Sequence, residues 1–353
     1  MRICLLGMKG NFDASTGQGV QKYIYHTWKN LERLQNRYGS LDKIELGIGN
    51  SLPLRKVSFT LLSLIHDFND YDIIHIPAPI LCNPLRRGNA KIITTLHELI
   101  LVDKDSPYAR AMEKEKKPNP IVSGVSRFMG NQVRKQILSS DELIANSTQT
   151  RDEAVKEGYD KSRIHIIRWG LDERFLKGYN KPARGFTVGY FGSINVRKNV
   201  GFAIRAFKKI DDSGMRFKIY GKGPEYDSIA KLAGDDKRIT LMGFAAESRS
   251  VAIYDSFSVF VFPSLYEGLC LPILEAQARG LPVIIYKHSN IPRETRKYCF
   301  EAEDEEHMAE IIADIKENGY DERLRRRAKE YVGGFTWENA ANETIEVYRK
   351  ACR

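Results

Sequence analysis

Short apolar runs alternate with amphipathic stretches along nearly the whole chain. The first run, residues 2–7, is continuously hydrophobic like a strand buried on both faces, and residues 20–38 have the periodicity of an amphipathic helix. Further strand-like runs occupy residues 44–48, 72–76, 91–96, 142–145 and 164–167. Because strands that alternate with helices form βαβ units, this pattern predicts a parallel sheet.

The alternation stops once and then restarts. Residues 177–185 (KGYNKPARG) have no periodicity and are rich in Gly, Asn and Pro, which predicts a linker between domains. We expect an α/β protein with two doubly wound, Rossmann-like domains, residues 1–176 and 186–335, that face each other across a cleft. A last helix has Thr336 as its predicted N-cap. The strands predicted after the linker lie at residues 186–191, 216–220, 239–242, 259–262 and 282–285.

The composition limits the class of protein. A chain of 353 residues, 42% of them hydrophobic, is long enough for about two domains. No apolar run approaches the roughly 20 residues of a membrane span. Five cysteines without a CxxC pair argue against a disulfide framework and against a structural zinc site. The N-terminus has no signal-peptide pattern, so we expect a cytoplasmic protein.

Positive charge is concentrated in one part of the first half. The chain has 55 basic and 45 acidic residues, and residues 86–135 contain 11 basic and 5 acidic ones. Such a stretch predicts either an anionic partner (a phosphate ligand, an acidic membrane surface or nucleic acid) or an ordinary solvated helix face. Since no nucleic-acid recognition motif accompanies the charge, we do not expect a nucleic-acid partner.

The most informative segment is residues 263–284 (PSLYEGLCLPILEAQARGLPVI), which follows a predicted strand. Pro272 is suited to the first turn of a helix, so the helix N-terminus and the Gly268 backbone can face an anion such as a diphosphate. Glu267 and Glu275 would repel a phosphate. They therefore fit better as hydrogen-bond acceptors for hydroxyl groups on either side of it, as on a sugar and a ribose.

A second phosphate-site pattern lies in residues 188–199 (VGYFGSINVRKN). A predicted strand is followed by Gly192 and then by Arg197 and Lys198 just before a helix. Cations are disfavoured near a helix N-terminus unless an anion is present, so the pair favours an anion site. Two cations and helix amides can stabilise a leaving diphosphate without a metal ion.

The 263–284 segment resembles the signature of the family 4 glycosyltransferases, which are retaining enzymes of the GT-B fold. Their pattern, roughly P-S-x-x-E-G-x-x-x-P-x-x-E-A, is matched by Pro263, Ser264, Glu267, Gly268, Pro272, Glu275 and Ala276. The resemblance extends over nearly the whole chain. It also implies that residues 336–353 form a last helix that packs back onto the first domain.

Three weaker segments resemble other parts of the same family. Residues 16–23 (TGQGVQKY) are similar to its glycine-rich loop, although only Gly17 and Gly19 match. Residues 94–98 (TTLHE) are similar to its strand-end His-Asp, with Glu98 in place of Asp, which implies that His97 lies beside the donor sugar. In residues 217–225 (FKIYGKGPE), Gly221 and Gly223 are either a purely structural turn or a direct nucleotide contact.

The resemblance implies transfer of a hexose, of mannose or glucose type, from a nucleotide diphosphate sugar (GDP or UDP type) to a hydroxyl of a glycan or lipid-linked acceptor, with retention. The first domain would hold the acceptor and the second the donor. No cofactor or metal is expected. The catalytic residues would be His97, Arg197, Lys198 and Glu267, and the donor-binding residues Gly17, Gly19, Gly192, Gly221, Gly223, Gly268, Leu269 and Glu275.

Three alternatives remain at this point. Asp103 and Asp105 (LILVDKD) have the spacing with which the other large glycosyltransferase fold holds a divalent metal, although loop or helix-cap roles explain them as well. A nucleotide-sugar epimerase on the same fold, or a non-catalytic nucleotide-sugar or glycan binding protein, would have a similar architecture. The basic stretch also allows a position on the inner face of a membrane as a peripheral protein.

Overall fold

The computed structural model describes residues 1–13, 19–48, 52–98, 120–178 and 185–353. They divide into two compact units. The first unit contains the described residues of Met1–Ile100, Lys117–Gly170 and Thr336–Arg353, and the second contains those of Leu171–Phe335.

The first unit is built on a six-stranded parallel sheet in the order β2-β1-β3-β4-β5-β6. All four residues of its central strand Ile73–Ile76 are buried, as expected for a parallel strand covered on both faces. The strands are β1 (Arg2–Met8), β2 (Ser40–Leu46), β3 (Ile73–Ile76), β4 (Lys91–Leu96), β5 (Glu142–Ala145) and β6 (Ile164–Ile166). The helices before the second unit are α1 (Val20–Arg33), α2 (Leu52–Ile65), α3 (Pro120–Leu138) and α4 (Thr148–Lys156), with 3₁₀ turns at Gln35–Arg37 and Lys161–Arg163.

The second unit repeats this plan with a parallel sheet in the order β12-β11-β10-β7-β8-β9. Its strands are β7 (Phe186–Phe191), β8 (Met215–Tyr220), β9 (Ile239–Gly243), β10 (Val259–Phe262), β11 (Val283–Tyr286) and β12 (Phe300–Ala302). Its helices are α5 (Glu173–Leu176), α6 (Val200–Lys208), α7 (Tyr226–Ala233), α8 (Ser250–Asp255), α9 (Leu271–Ala278), α10 (Arg293–Arg296), α11 (Glu305–Asn318) and α12 (Glu322–Gly333), with 3₁₀ turns at Val196–Lys198 and Glu247–Arg249. The predicted pair of doubly wound α/β units is confirmed.

Each sheet reverses its winding at one place. In the first unit the chain leaves β1 for β2 on one side and then continues on the other side with β3, so the reversal lies between β1 and β3. In the second unit β8 and β9 lie on one side of β7 and β10 lies on the other, so the reversal is between β7 and β10. Ligands of open α/β sheets bind in the crevice outside the carboxyl ends of the strands at such a point.

The division between the units lies earlier in the chain than the predicted boundary at residue 176. It falls between Gly170 and Leu171, because α5 and the residues next to it pack within the second unit. The Leu171 N–H donates to the Phe335 carbonyl at 2.8 Å, and Arg279 Nη1 donates to the carbonyl of the fully buried Phe175 at 3.3 Å. Residues 179–184 of the predicted linker lie outside the described residues.

The last helix, α13 (Trp337–Ala351), belongs to the first unit, where it packs against α1. Thr336 caps it by accepting a hydrogen bond from the Asn339 N–H, which confirms the predicted N-cap. Tyr348, fully buried on this helix, bonds through its hydroxyl to Nδ1 of His75 in β3 at 2.6 Å. His75 Nε2 lies 2.8 Å from the Thr95 hydroxyl in β4, so one imidazole joins the helix to two strands of the sheet.

No helix in the described ranges combines the length and the apolar character that a bilayer span needs.

Replacing Tyr348 by Phe tests this connection. The Tyr348→Phe change leaves His75 Nδ1 buried without a partner, and we expect the free energy of unfolding to fall by about 1–3 kcal/mol. Denaturant titration measures this free energy of unfolding. Tyr25→Phe is the matched control, because Tyr25 is a half-buried tyrosine of the same unit. Equal stability of Tyr348→Phe and the unmodified chain would contradict the connection.

Candidate functional site

The candidate site of the second unit lies at its winding reversal, in the loops that follow β7 and β10. Hydrogen bonds between the loops hold them together. The Leu265 N–H donates to the Arg197 carbonyl at 2.8 Å, and the Ser264 hydroxyl lies 3.2 Å from the same oxygen. The Asn195 side chain accepts from the Lys198 N–H at 3.2 Å and so fixes the turn that carries both basic residues.

An ion pair between Lys198 and Glu267 joins the side chains of the two loops. Only 10% of the Lys198 side chain and 8% of the Glu267 side chain are exposed. The Ser264 hydroxyl donates to Glu267 Oε1 at 2.5 Å, and the Lys198 ammonium lies 5.0 Å from the centre of the Phe262 ring. Removing either partner of a buried ion pair leaves the other charge uncompensated. Each of these side chains therefore stabilises the other in its buried position.

The backbone around Glu267 is held from the neighbouring loop. The Glu267 N–H donates to the Asn290 carbonyl at 2.9 Å, and the Asn290 N–H donates to the Leu265 carbonyl at 2.8 Å. Cys270, just before α9, has a φ of 68°, and Asn199, just before α6, has a φ of 49°. Within the described ranges these are the non-glycine residues with positive φ, and both lie at the ends of the site loops. Backbone strain of this kind concentrates at functional sites.

Backbone donors face the same region. Leu269 is buried, and its carbonyl accepts a hydrogen bond from the Thr295 hydroxyl. In the described part of the chain the N–H groups of Gly268 and Leu269 have no acceptor. They precede α9, which begins at Leu271 with Pro272 in its first turn. Free amides at a helix N-terminus, with the positive end of the helix dipole behind them, form an anion site.

Close backbone packing requires glycine at Gly221 and Gly223, two of the residues predicted to bind the donor. A Cβ on Gly221, whose φ is +146°, would lie 1.8 Å from the Gly192 carbonyl oxygen. A Cβ on Gly223 would lie 2.1 Å from the Ile194 carbonyl oxygen. Neither position has room for a side chain, so the loops after β7 and β8 approach each other backbone to backbone.

Glu275 lies in α9, where it is buried, and accepts a hydrogen bond from the Tyr254 hydroxyl at 3.0 Å. Burial raises the pKa of Tyr254 well above its usual value, and the Glu275 carboxylate raises it further. Tyr254 is therefore a neutral donor at physiological pH, and it fixes one oxygen of the Glu275 carboxylate.

In the first unit, His97 follows β4 and is buried between two aromatic rings. The centre of its imidazole lies 4.8 Å from the centre of the Tyr23 ring and 5.1 Å from that of Trp169. Its Nε2 lies 2.6 Å from the Pro77 carbonyl, which can only accept, so Nε2 carries the proton. Burial lowers the pKa of His97 from 6.5 to about 4, although the Pro77 hydrogen bond opposes the shift. The ring is therefore neutral at pH 7, and its buried Nδ1 is an acceptor that has no partner among the described residues.

Some of the predicted residues take no part in the contacts described above. Gly17, Asp103 and Asp105 lie outside the described residues. Gly19 is the N-cap of α1 and has a φ of 57°, a conformation that glycine adopts without strain. Across the described ranges no group of three or more His, Cys, Asp or Glu side chains is arranged to hold a metal ion.

The basic stretch 86–135 is partly neutralised. Arg86 pairs with Asp67 at 3.0 Å and Arg87 with Asp141 at 3.3 Å. Arg134 pairs with Glu157. These three cations are each paired with a carboxylate, and residues 99–119 of the stretch lie outside the described residues.

Sequence reasoning missed the residues that support the site from other elements. Tyr254, Asn290 and Thr295 bond to Glu275, Glu267 and Leu269, and none of them lies in the same predicted loop as its partner. No periodicity or spacing links them along the chain. Ser264 had a signal, because it belongs to the matched P-S-x-x-E string, but its bond to Glu267 became visible only in the fold.

Two family descriptions match the chain and together span most of both units. Glycosyltransferase Family 4 matches residues 19–175, and Glycosyl transferases group 1 matches residues 185–318. The chain belongs to the family 4 glycosyltransferases. Its two α/β units agree with this membership. So does the position of the matched Glu267 and Glu275 at the winding reversal.

Two curated relatives of this glycosyltransferase are mannosyltransferases. The O-antigen chain mannosyltransferase B of Escherichia coli is 24% identical over 307 residues, 81% of this chain and 76% of the relative. The MMP alpha-(1->4)-mannosyltransferase of Mycolicibacterium hassiacum is 24% identical over 304 residues, 80% of this chain and 71% of the relative.

Solved structures share the GT-B fold over nearly the full length. Sucrose-phosphate synthase from Thermosynechococcus elongatus is similar with a TM-score of 0.71 and 18% identity, covering 99% of this chain and 98% of that one. Anabaena HepE in complex with UDP is similar with a TM-score of 0.67 and 15% identity, covering 99% of this chain and 100% of that one.

The buried histidines of the first unit make its stability depend on pH. Burial lowers the pKa of His75 from 6.5 to about 3 and that of His97 to about 4. Between pH 6.5 and 4 the unfolded chain binds more protons than the folded one, so stability rises with pH and is lost as the pH falls. Each histidine contributes a slope of up to about 1.4 kcal/mol per pH unit.

Denaturant titrations at several pH values between 4 and 6.5 measure this slope. We expect His97→Gln to lower the slope by up to about 1.4 kcal/mol per pH unit, because His97 then no longer contributes to it. An unchanged slope in His97→Gln would contradict the buried neutral state of this ring.

Proposed function

We propose that this glycosyltransferase moves a hexose of mannose or glucose type from a nucleotide diphosphate sugar to an acceptor hydroxyl, with retention at the anomeric carbon. The second unit binds the donor, and the first unit binds the acceptor. The observation that carries the proposal is the buried Lys198–Glu267 pair beside the free amides of Gly268 and Leu269. The two mannosyltransferase relatives and the UDP complex of HepE support the sugar and the nucleotide diphosphate.

The anion site binds the diphosphate. The amides of Gly268 and Leu269 donate to its oxygens from the N-terminus of α9, and Arg197 and Lys198 add positive charge from the loop after β7. These groups stabilise the charge that develops on the leaving diphosphate without requiring a metal ion. We propose that this electrostatic stabilisation, together with positioning of the acceptor, supplies most of the catalysis.

The two carboxylates bind hydroxyl groups on either side of the diphosphate. Glu267, whose charge Lys198 balances, accepts from the hydroxyls of the sugar, and Glu275, oriented by Tyr254, accepts from the ribose. His97 offers the lone pair of its neutral Nδ1 to a hydroxyl of the sugar. In this family no side-chain nucleophile is agreed, and we propose that the leaving phosphate takes the proton of the acceptor hydroxyl.

Variants of the two carboxylates test these roles. We expect Glu267→Gln to lower donor turnover by about 10²-fold or more while nucleotide binding is kept. We expect Glu275→Gln to weaken nucleotide binding about 10- to 100-fold, because it loses a charged acceptor for the ribose. Thermal shift and donor hydrolysis across UDP-, GDP-, ADP- and dTDP-sugars, with and without EDTA, measure both effects.

Glu306→Gln is the matched control, since this exposed glutamate of the same unit pairs with Lys209 outside the site. Full turnover in Glu267→Gln would contradict the role of that carboxylate. Loss of activity in EDTA would contradict metal independence and would favour Asp103 and Asp105 as metal ligands.

We also propose that the first unit associates with an anionic membrane surface through α2. Leu54, Val57, Leu61 and Ile65 of this helix are all more than half exposed and recur at helical spacing, so they form one apolar stripe. The helix carries Arg55 and Lys56 and no acidic residue. An exposed apolar stripe on a helix without acidic residues favours contact with the headgroup region of an anionic bilayer.

Co-sedimentation with phosphatidylglycerol vesicles tests this association. We expect Leu61→Asp to weaken it about tenfold or more, because one buried leucine contributes about 1.5–3 kcal/mol. Leu85→Asp is the matched control, since Leu85 is also exposed but lies outside α2. Equal co-sedimentation of the two variants would contradict the role of α2.

A further inference from the structure

A cavity of about 390 Å³ lies within the first unit, at the carboxyl end of its sheet. Leu6 at the end of β1 and Ile80 in the segment after β3 line it from the two sides of the winding reversal. The cavity therefore occupies the place where a doubly wound sheet binds its ligand. Its size falls within the range of about 300–1,000 Å³ that is usual for small-molecule pockets.

The wall of this cavity is mostly hydrocarbon. Ile24 of α1, Phe59 of α2 and Val133 of α3 line it, so all three helices contribute apolar side chains. Hydrogen-bonding side chains come, within the described wall, from Asn11, Gln21 and Thr60. A wall of this kind favours a ligand that is apolar over most of its surface and polar at a few points.

The cavity is accessible, and it adjoins a predicted catalytic residue. Ala78 and Leu81 in its wall are only half-buried, so solvent reaches it from the segment after β3. Pro77 also lines the cavity, and its carbonyl accepts the hydrogen bond from His97 Nε2. A ligand in the cavity would thus contact Pro77, which is hydrogen-bonded to the imidazole that we propose as a binding group for the sugar. Close-packed interiors leave few voids larger than a water molecule.

We infer that this cavity binds a hydrocarbon group of the acceptor, so that the accepting hydroxyl belongs to an amphiphile. The inference rests on the proposed function, because it takes the first unit as the acceptor side. Burial of the chain in the apolar wall supplies affinity through the hydrophobic effect, and Asn11, Gln21 and Thr60 can bond to the polar end. Residues Phe59 and Thr60 belong to α2, whose other face carries the exposed apolar stripe.

Calorimetric titration of the full chain with methyl, butyl, hexyl and octyl glucoside, all below micelle-forming concentrations, tests this inference. We expect affinity to rise by about fourfold for each methylene that enters the cavity, and then to level off when the cavity is full. Ala78→Phe fills the cavity and should reduce octyl glucoside binding to the level of the methyl compound. Leu81→Ser, which makes the wall polar, should flatten the dependence on chain length without filling the space.

Ala351→Phe is the matched control, because Ala351 is a half-buried alanine of the same unit that does not line the cavity. It should keep the dependence on chain length. Equal affinity for all four glucosides, or a dependence that survives Ala78→Phe, would overturn the inference. Thermal melting of each variant shows that the variant is folded.

Nucleotide-sugar turnover in the same preparations separates this inference from the proposed function. Intact turnover without any dependence on chain length overturns the inference alone. A dependence on chain length without any response to a nucleotide sugar overturns the proposed function and, with it, the acceptor role of the cavity. Displacement of octyl glucoside by vesicles that contain a long-chain glucolipid supports a bilayer lipid as the source of the chain, and binding without such displacement supports a soluble amphiphile.

Discussion

The winding of a parallel sheet is the constraint on which the rest of this structure depends. Crossover helices cover both faces of each sheet, and the chain leaves a crevice only where the strand order reverses. In the second unit the reversal brings together the loops after β7 and β10, which carry Lys198 and Glu267. In the first unit it opens the apolar cavity between β1 and β3. One topological rule thus accounts for a charged site in one unit and an apolar site in the other.

Electrostatics then decides what the second unit can bind. A lone carboxylate at an anion site would be unfavourable, and a lone buried ammonium would be equally so. The pairing of Lys198 with Glu267 resolves both problems and leaves the amides of Gly268 and Leu269 as the free donors. The pair therefore permits an acceptor for sugar hydroxyls beside a site for phosphate.

Burial rather than charge governs the first unit. His75 and His97 are both neutral at physiological pH because water does not reach them, and they serve as fixed hydrogen-bonding groups. His75 joins α13 to the sheet, and His97 bonds to the carbonyl of Pro77 in the cavity wall. These two imidazoles therefore act as neutral hydrogen-bonding groups that hold buried elements in place.

The sequence by itself determined the two α/β units, the loop and helix around Glu267 and Glu275, and the N-cap at Thr336, because these depend on local periodicity and on spacing within one segment. Only the tertiary structure decided which distant groups meet. The Lys198–Glu267 pair, the Tyr254–Glu275 bond and the division at Gly170 depend on strand order and on packing between elements far apart in the chain. The cavity was equally invisible to sequence reasoning, since hydrophobic residues predict burial but do not reveal where packing leaves space.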